Sequence, residues 1–200
     1  MADSEKQSKA QPTASSPKAD AGRVKVFNWT PSPWEELRKL EYGADHTFAN
    51  TVQKLVFAAE PEEFAALEKR LIAVLKDSKS TRTAQEFTCR LLALIGSEAC
   101  VDALSPLLVD EKMTHPARLA LQPILGEKAD TALRSALSKL KGNAKAGLIG
   151  TLGVRASDRT AAPLLASILN DTAEPAIVRE AATLALARLQ INPNVEAHTL

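Results

Sequence analysis

Basic side chains recur along the middle of this chain at positions that would bring them to one surface of a helical protein. They are Arg82, Arg90, Arg118, Lys145 and Arg179. Guanidinium and ammonium groups hold carboxylates and phosphates through charge-assisted hydrogen bonds, so such a row predicts a site for an anionic partner. An acidic protein surface is the favoured ligand. The alternative interpretation is a set of solvated helix faces whose bases pair with carboxylates one turn away.

The net charge of the 200 residues is +1, but the charge is unevenly distributed along the chain. Residues 111–160 hold nine lysines and arginines against four acidic residues, whereas the flanking stretches are acidic. Arg155 belongs to this basic band and is a further candidate contact. The band contains no interleaved aromatic residues, which argues against single strands of nucleic acid held by stacking. Nucleic-acid binding through the band is therefore kept as an alternative only.

Residues able to do covalent or acid–base chemistry are few and scattered. The histidines are His46, His115 and His198, and the cysteines are Cys89 and Cys100. Their spacings match no zinc-binding, redox or nucleophile motif, so we predict no catalytic, cofactor-binding or metal-ligating residues. A nucleophile–base pair of Cys89 and His115 would need the two side by side, but their helix positions differ by roughly 12 Å. Cys89 is expected to fill the core instead.

Aromatic residues concentrate near the N-terminus, where five of the eight fall between residues 27 and 48. The pattern predicts a short helix over about 33–42, opened by a serine capping box and closed by a glycine, and a second helix over about 46–59. This hairpin is expected to close one end of the fold. The alternative is an anchor in which Phe27 and Trp29 insert into another protein, because aromatic residues dominate binding hot spots.

An apolar pair followed by a turn residue recurs four times along the chain. The turn residues are Asp77, Asp110, Gly142 and Asp171, at intervals of 33, 32 and 29 residues. Before and after each of them, apolar residues recur every three or four positions, as on amphipathic helices. One repeat unit is therefore a pair of helices. Pro106 and Pro123 should kink the helices that contain them.

Repeated helix pairs must stack, because one pair cannot bury its apolar face alone. We therefore predict an all-α fold, an α-solenoid or armadillo/HEAT-like superhelix of about four helix pairs with an N-terminal helical hairpin cap. The expected organisation is a disordered N-terminal arm over 1–24, the aromatic-rich hairpin over 25–60, the solenoid over 61–191 and a C-terminal tail over 192–200.

Gly147, Gly150 and Gly153 lie at intervals of three within one predicted helix. Each glycine lowers helix stability by about 1 kcal/mol relative to alanine, so three on one face need a compensating contact. Close approach of a neighbouring helix would supply that contact. Replacing Gly150 with leucine should then destabilise the fold.

Three stretches resemble the short HEAT repeats of bacterial proteins, a type also found in phycobilin lyases. They are Cys89–Gly96, Asp110–Arg118 and Gly147–Arg155. The resemblance covers roughly residues 44–190 and departs from the pattern in the last unit, where the expected Leu-Gly is missing. The resemblance implies a HEAT-repeat fold and transfers no catalytic residues. The bacterial proteins that it points to form a group without a defined biochemical function. Bilin lyase-like chromophore handling is the enzymatic alternative that it suggests.

The composition is typical of a folded domain, with 45% apolar and 24% charged residues. The polar N-terminal arm lacks the apolar core of a signal peptide, and no stretch is apolar over the length of a membrane span, so we expect a cytoplasmic protein. Together these features predict a non-enzymatic scaffold or adaptor without a cofactor. It would bind another protein on the concave face of the solenoid, with the N-terminal arm as a second contact.

Overall fold

The computed structural model describes residues 31–155 and 159–191. All regular structure in these ranges is helical, which confirms the prediction of an all-α fold for the described residues. The N-terminal arm, the C-terminal tail, Phe27 and Trp29 lie outside them. Within the described part of the chain, no helix is long and apolar enough to cross a lipid bilayer.

In the described residues ten α-helices follow one another, joined by turns and short 3₁₀ segments. They are α1 Pro33–Leu37, α2 Thr47–Phe57, α3 Phe64–Lys76, α4 Arg82–Ile95, α5 Val101–Leu104, α6 Thr114–Leu121, α7 Glu127–Ala136, α8 Gly142–Val154, α9 Ala162–Asn170 and α10 Ala176–Ile191. Each longer helix buries part of its apolar side chains in the core, such as Leu71 in α3, Leu92 in α4 and Leu148 in α8. Other apolar side chains on the same helices are exposed, among them Leu94 at 56% and Leu184 at 60%.

The helices pack in pairs that are consecutive in the chain: α1 with α2, α3 with α4, α5 with α6, α7 with α8 and α9 with α10. The second members also contact one another in order, α2 with α4, α4 with α6, α6 with α8 and α8 with α10. Among the first members, α1 contacts α3, α3 contacts α5 and α5 contacts α7. One hydrophobic core runs through all of these contacts, from Trp34 to Ala185.

The N-terminal hairpin differs from its prediction at α1. This helix ends at Leu37, and Ser32 makes no side-chain capping bond, although its carbonyl oxygen accepts from backbone N–H groups of the first turn. Asp45 does hold the start of α2, where its carboxylate accepts from the backbone N–H and the hydroxyl of Thr47 at 2.9 and 2.6 Å. Trp34 is buried against the core, whereas Tyr42 is 96% exposed.

Pro106 and Pro123 end α-helices, so the prediction that they would only kink them is wrong. Before Pro106, α5 ends at Leu104 and is followed by a 3₁₀ segment over Ser105–Val109. Before Pro123, α6 ends at Leu121. Proline lacks the N–H that the next α-helical hydrogen bond requires, and its ring clashes with the preceding turn.

The three glycines of α8 meet three different surroundings. A Cβ atom on Gly153 would lie 2.6 Å from the Cα atom of Ala185 in α10, which confirms the expected close approach of a neighbouring helix at that position. A Cβ atom on Gly147 would instead meet the guanidinium of Arg118, with 3.0 Å to its Nε atom. A Cβ atom on Gly150 would meet no neighbouring element within 4 Å, so the expectation that this position is crowded is wrong.

The turns within the four pairs from α3–α4 to α9–α10 are built in two ways. In three of them an aspartate carboxylate accepts a backbone N–H two residues later, at 2.8 Å for Asp77 and at 2.9 Å for Asp110 and Asp171. In the remaining turn, Gly142 stands in place of the aspartate with φ at +50°, and α8 begins there. The turn before α8 therefore brings no carboxylate of its own.

Candidate functional site

A groove of about 700 Å³ lies between the beginnings of α6 and α8. Arg118 lines it from α6, and Lys139 and Lys141 line it from the turn before α8. Glu111 is the one acidic residue of its lining, and His115 stands exposed at its edge on the first turn of α6. Three permanent cations thus face one carboxylate across a cleft that is open to solvent. We call this cleft the basic groove.

The cations of the basic groove form no ion pair with any carboxylate of the described residues. Elsewhere in the same part of the fold, cations are matched: Lys128 lies 2.9 Å from Asp102, and Lys145 is paired with Glu174. Like charges that line one cleft without a counter-ion repel one another, and an anion bound among them would offset that repulsion. The groove is therefore electrostatically complementary to an anionic ligand.

Arg118 is positioned by the two helices that flank it. Its Nη1 atom donates to Thr151 Oγ1 on α8 at 3.0 Å, and its Nη2 atom lies 2.8 Å from Nδ1 of His115, which takes the role of acceptor. The missing side chain of Gly147 leaves room for the guanidinium against α8. A guanidinium has five N–H donors, so donors remain for a ligand after these two bonds.

Partial burial changes the electrostatics of this arginine. Desolvation lowers the pKa of Arg118 from its usual value, because the half-buried charge has lost part of its hydration and has gained no carboxylate in return. The guanidinium nevertheless stays protonated at neutral pH, since arginine titrates far above it. A bound carboxylate would restore part of the lost solvation, and this favours binding of an anion beside Arg118.

The start of α8 adds to the positive character of the groove. Its N-cap residue, Lys141, makes no side-chain capping bond, and no acidic residue stands in the first turn. The free N–H groups at a helix start carry a partial positive charge. Before α6, the carboxylate of Asp110 accepts from the backbone N–H groups of Lys112 and Met113. The start of α6 therefore has a negative charge beside it, and the start of α8 has a positive one.

Arg155, which the sequence analysis grouped with the surface bases, is buried at 4% exposure. Its Nε atom donates to Asp130 Oδ1 at 2.6 Å, and its Nη1 atom donates to the carbonyl oxygens of Leu121 and Gln122 at 2.7 and 2.8 Å. The side chain therefore joins α7, the end of α6 and the end of α8. A residue enclosed in this way does not offer its charge to a partner, and we leave Arg155 out of the candidate site.

The other predicted contacts lie in several surroundings. Arg82 and Arg90 are exposed on α4, and the guanidinium of Arg90 lies over the ring of Phe87 at 5.4 Å from its centroid. Lys145 is engaged by Glu174, and Arg179 is half-buried on α10. Of the predicted row, Arg118 alone lines the basic groove.

A second groove, of about 410 Å³, lies on the other side of α6, between α4 and α6. Its walls include the apolar side chains of Ala93, Pro116 and Leu119, and charged residues line it as well. His115 lines this groove and the basic groove alike, so the two clefts meet at the first turn of α6. We call it the apolar groove.

The cysteine and histidine that the sequence analysis compared both line the apolar groove, but their surroundings oppose nucleophilic chemistry. Desolvation by burial raises the pKa of the Cys89 thiol to about 12, so its reactive thiolate form is suppressed at neutral pH. Nδ1 of His115 accepts from the guanidinium of Arg118 at 2.8 Å and is therefore engaged by a cation. Across residues 31–155 and 159–191, no group of histidine, cysteine or acidic side chains is arranged to hold a metal ion.

Sequence reasoning did not select Lys139, Lys141 or His115 as site residues. A signal was present, because the turns at residues 109–113 and 139–142 come at equivalent places of the predicted repeat, and stacked repeats bring such turns side by side. Lys139 and Lys141 stand three residues and one residue before Gly142, which replaces the aspartate, so the loss of a negative charge and the presence of two positive ones coincide in sequence.

Compared with models of protein families, with curated proteins and with solved structures, this chain shows no match. The HEAT-repeat assignment therefore stays a prediction from the sequence.

Proposed function

We propose that this protein is a non-enzymatic interaction module that binds an acidic segment of a partner protein in the basic groove. The observation that carries the proposal is the group of Arg118, Lys139 and Lys141 around one cleft, with no ion pair among the described residues. The proposed frame is an α-solenoid of HEAT-like helix pairs. It is supported by the order of the helix contacts, in which each pair packs on the next along the chain.

A carboxylate-bearing peptide fits the groove better than a nucleic-acid backbone does. Phosphate backbones are bound by extended tracks of cations, and their affinity rises with the number of phosphates neutralised. Here two further bases of the same band, Lys145 and Arg155, are engaged by Glu174 and Asp130 and do not extend the track. The groove, of about 700 Å³, is also too short to follow a continuous line of phosphates.

Fluorescence anisotropy with a labelled glutamate-rich peptide tests the proposal. The peptide should bind at low salt and weaken as salt is added, and the same peptide with glutamine at each glutamate should not bind. Reversing the groove charges with Lys139→Glu and Lys141→Glu should weaken binding by at least about tenfold, equivalent to about 1.4 kcal/mol.

The matched control is Lys54→Glu with Lys69→Glu, which changes the net charge equally at two exposed lysines of α2 and α3. These substitutions should leave binding within about twofold, since both lysines lie outside the groove. Equal losses in the two double variants would contradict a local site. Duplex DNA that binds more tightly than the peptide and depends on Lys139 and Lys141 would show that the groove serves nucleic acid.

A further inference from the structure

The apolar groove lies next to the basic groove and is left unused by the proposed binding of an acidic segment. Leu119 is 40% exposed in its wall, and Ala93 and Pro116 stand with it. Cations line this groove as well, since Arg90 and Lys112 are part of its lining and neither is ion-paired within the described residues. A hydrophobic side chain from a chain that is otherwise acidic would therefore meet an apolar surface with positive surroundings.

We infer that the two grooves form one peptide-binding surface, which takes a hydrophobic side chain between α4 and α6 and an acidic side chain between α6 and α8. The inference rests on the proposed function and names the ligand more closely: an extended acidic peptide with one large apolar residue at a fixed distance from an acidic one. His115 stands where the two grooves meet, so the peptide backbone crosses α6 at its first turn.

The spacing of the two ligand residues follows from the fold. The grooves flank α6 on opposite sides, so their centres are separated by about one interhelical distance, roughly 8–10 Å. A peptide in the extended polyproline II conformation advances about 3.1 Å per residue with three residues per turn, so side chains three positions apart lie on one face about 9 Å from each other, and the apolar and acidic side chains should have this spacing. A partner with this pattern would bind more tightly than one with the acidic residues alone.

The charges favour a partner of this kind over a second copy of the chain. Arg90, Lys112, Arg118, Lys139 and Lys141 all line the two grooves, against Glu86 and Glu111. Two copies meeting through this surface would oppose cation to cation, and like charges held together are destabilising. An acidic peptide brings the opposite charge to the same surface.

The experiment compares two labelled peptides that differ at one position. Both carry the same glutamate block, and three positions before it one has leucine and the other has serine. On the unaltered protein the leucine peptide should bind about fivefold to tenfold tighter, as expected for partial burial of a leucine side chain. Moving the leucine next to the glutamate block should remove this advantage.

Leu119→Ser should abolish the advantage of the leucine peptide and leave the affinity of the serine peptide unchanged. The control is Leu164→Ser on α9, where a leucine of similar exposure, 36%, lies outside both grooves and should keep the advantage. Equal affinity for the two peptides, or an advantage of the leucine peptide that survives Leu119→Ser, would overturn the inference. In either case, binding of the serine peptide would still support the proposed function of the basic groove.

Two other outcomes are distinct from these. If neither glutamate peptide binds at low salt, the proposed function fails and this inference fails with it. If analytical ultracentrifugation shows a dimer that Leu119→Ser dissociates, the occupant of the apolar groove is a second copy, and the inference is overturned. A monomer that binds the leucine peptide supports it.

Discussion

The two ends of α8 show how the same kind of side chain acquires opposite roles. At the C-terminal end, Arg155 is buried and matched by a carboxylate and two carbonyl oxygens, and Gly153 touches the backbone of α10. At the N-terminal end, Lys141 is exposed and Arg118 is half-buried without a carboxylate. The enclosed end holds the helices together, and the open end is left with charge that a ligand can match.

The difference depends on what the rest of the chain supplies. Asp130 comes from α7, 25 residues before Arg155, and no residue plays that role for Arg118 among those described. A buried charge without its partner is strongly unfavourable, whereas a solvated one is tolerated. The basicity of a segment therefore does not identify a binding surface until the carboxylates that oppose each base are known.

The largest expected effect is at the enclosed end, from Asp130→Ala. This substitution leaves the guanidinium of Arg155 buried without its counter-ion and should lower the free energy of unfolding by about 3–5 kcal/mol. Urea denaturation followed by circular dichroism measures the change. The matched control is Asp102→Ala, whose partner Lys128 is exposed, and its effect should stay below about 1 kcal/mol. Equal effects of the two substitutions would contradict the distinction between the enclosed and the solvated pair.

A smaller loss of stability is expected from Gly153→Ala, also at the C-terminal end of α8. The new Cβ atom would stand 2.6 Å from Ala185 Cα and 2.7 Å from Ala185 Cβ, so α8 and α10 would have to separate. We expect about 1–3 kcal/mol of destabilisation from this overpacking. Gly150→Ala is the control on the same helix, because its Cβ atom meets open space, and it should stabilise α8 by about 0.5–1 kcal/mol. Thermal unfolding that shifts in the same direction for both would contradict the assigned contacts.

The helices could be predicted from the sequence, but the environment of each charged side chain could not. Apolar spacing predicts helix pairs because burial of one face is a property of each segment, and the turn residues mark where segments end. Arg155 was misplaced on the surface because its partner Asp130 belongs to another helix of the basic band. Gly150 was expected to be crowded because spacing alone does not reveal which glycine faces a neighbour.

At the open end, Lys141→Asp should separate stability from binding. Lys141 occupies the N-cap position of α8 with extended backbone dihedrals, φ −135° and ψ 162°, which suit an aspartate cap. The new carboxylate would accept free N–H groups of the first turn and stabilise the protein by about 0.5–2 kcal/mol. The same negative charge would repel the glutamate peptide and weaken its binding in the basic groove. Unfolding and anisotropy measurements on one preparation test both parts.

Lys141→Ser supplies the comparison for that variant. Serine caps a helix about as well as aspartate but carries no charge, so the gain in stability should be similar and the loss of peptide affinity smaller. If both substitutions stabilise the helix and neither weakens binding, Lys141 contributes no attraction to the ligand. If neither substitution stabilises the helix, the N–H groups at the start of α8 do not need a side-chain cap.

The smallest effect is expected from Gly147→Ala, which tests whether the guanidinium of Arg118 depends on the space that glycine leaves. Alanine raises the helix propensity of α8 by about 1 kcal/mol, but its Cβ atom would stand 3.0 Å from Arg118 Nε and push the guanidinium away from Thr151. The two effects oppose each other, so the free energy of unfolding should change by less than about 0.5 kcal/mol.

Peptide binding should nevertheless fall in Gly147→Ala, by about threefold, because the displaced guanidinium no longer faces the groove from its fixed position. Gly150→Ala again serves as the control, since it makes the same change one turn away in open space and should not alter affinity. A loss of binding in both variants would assign the effect to α8 as a whole. A loss in Gly147→Ala alone, with stability unchanged, would show that the room beside Arg118 is kept for the ligand and not for the fold.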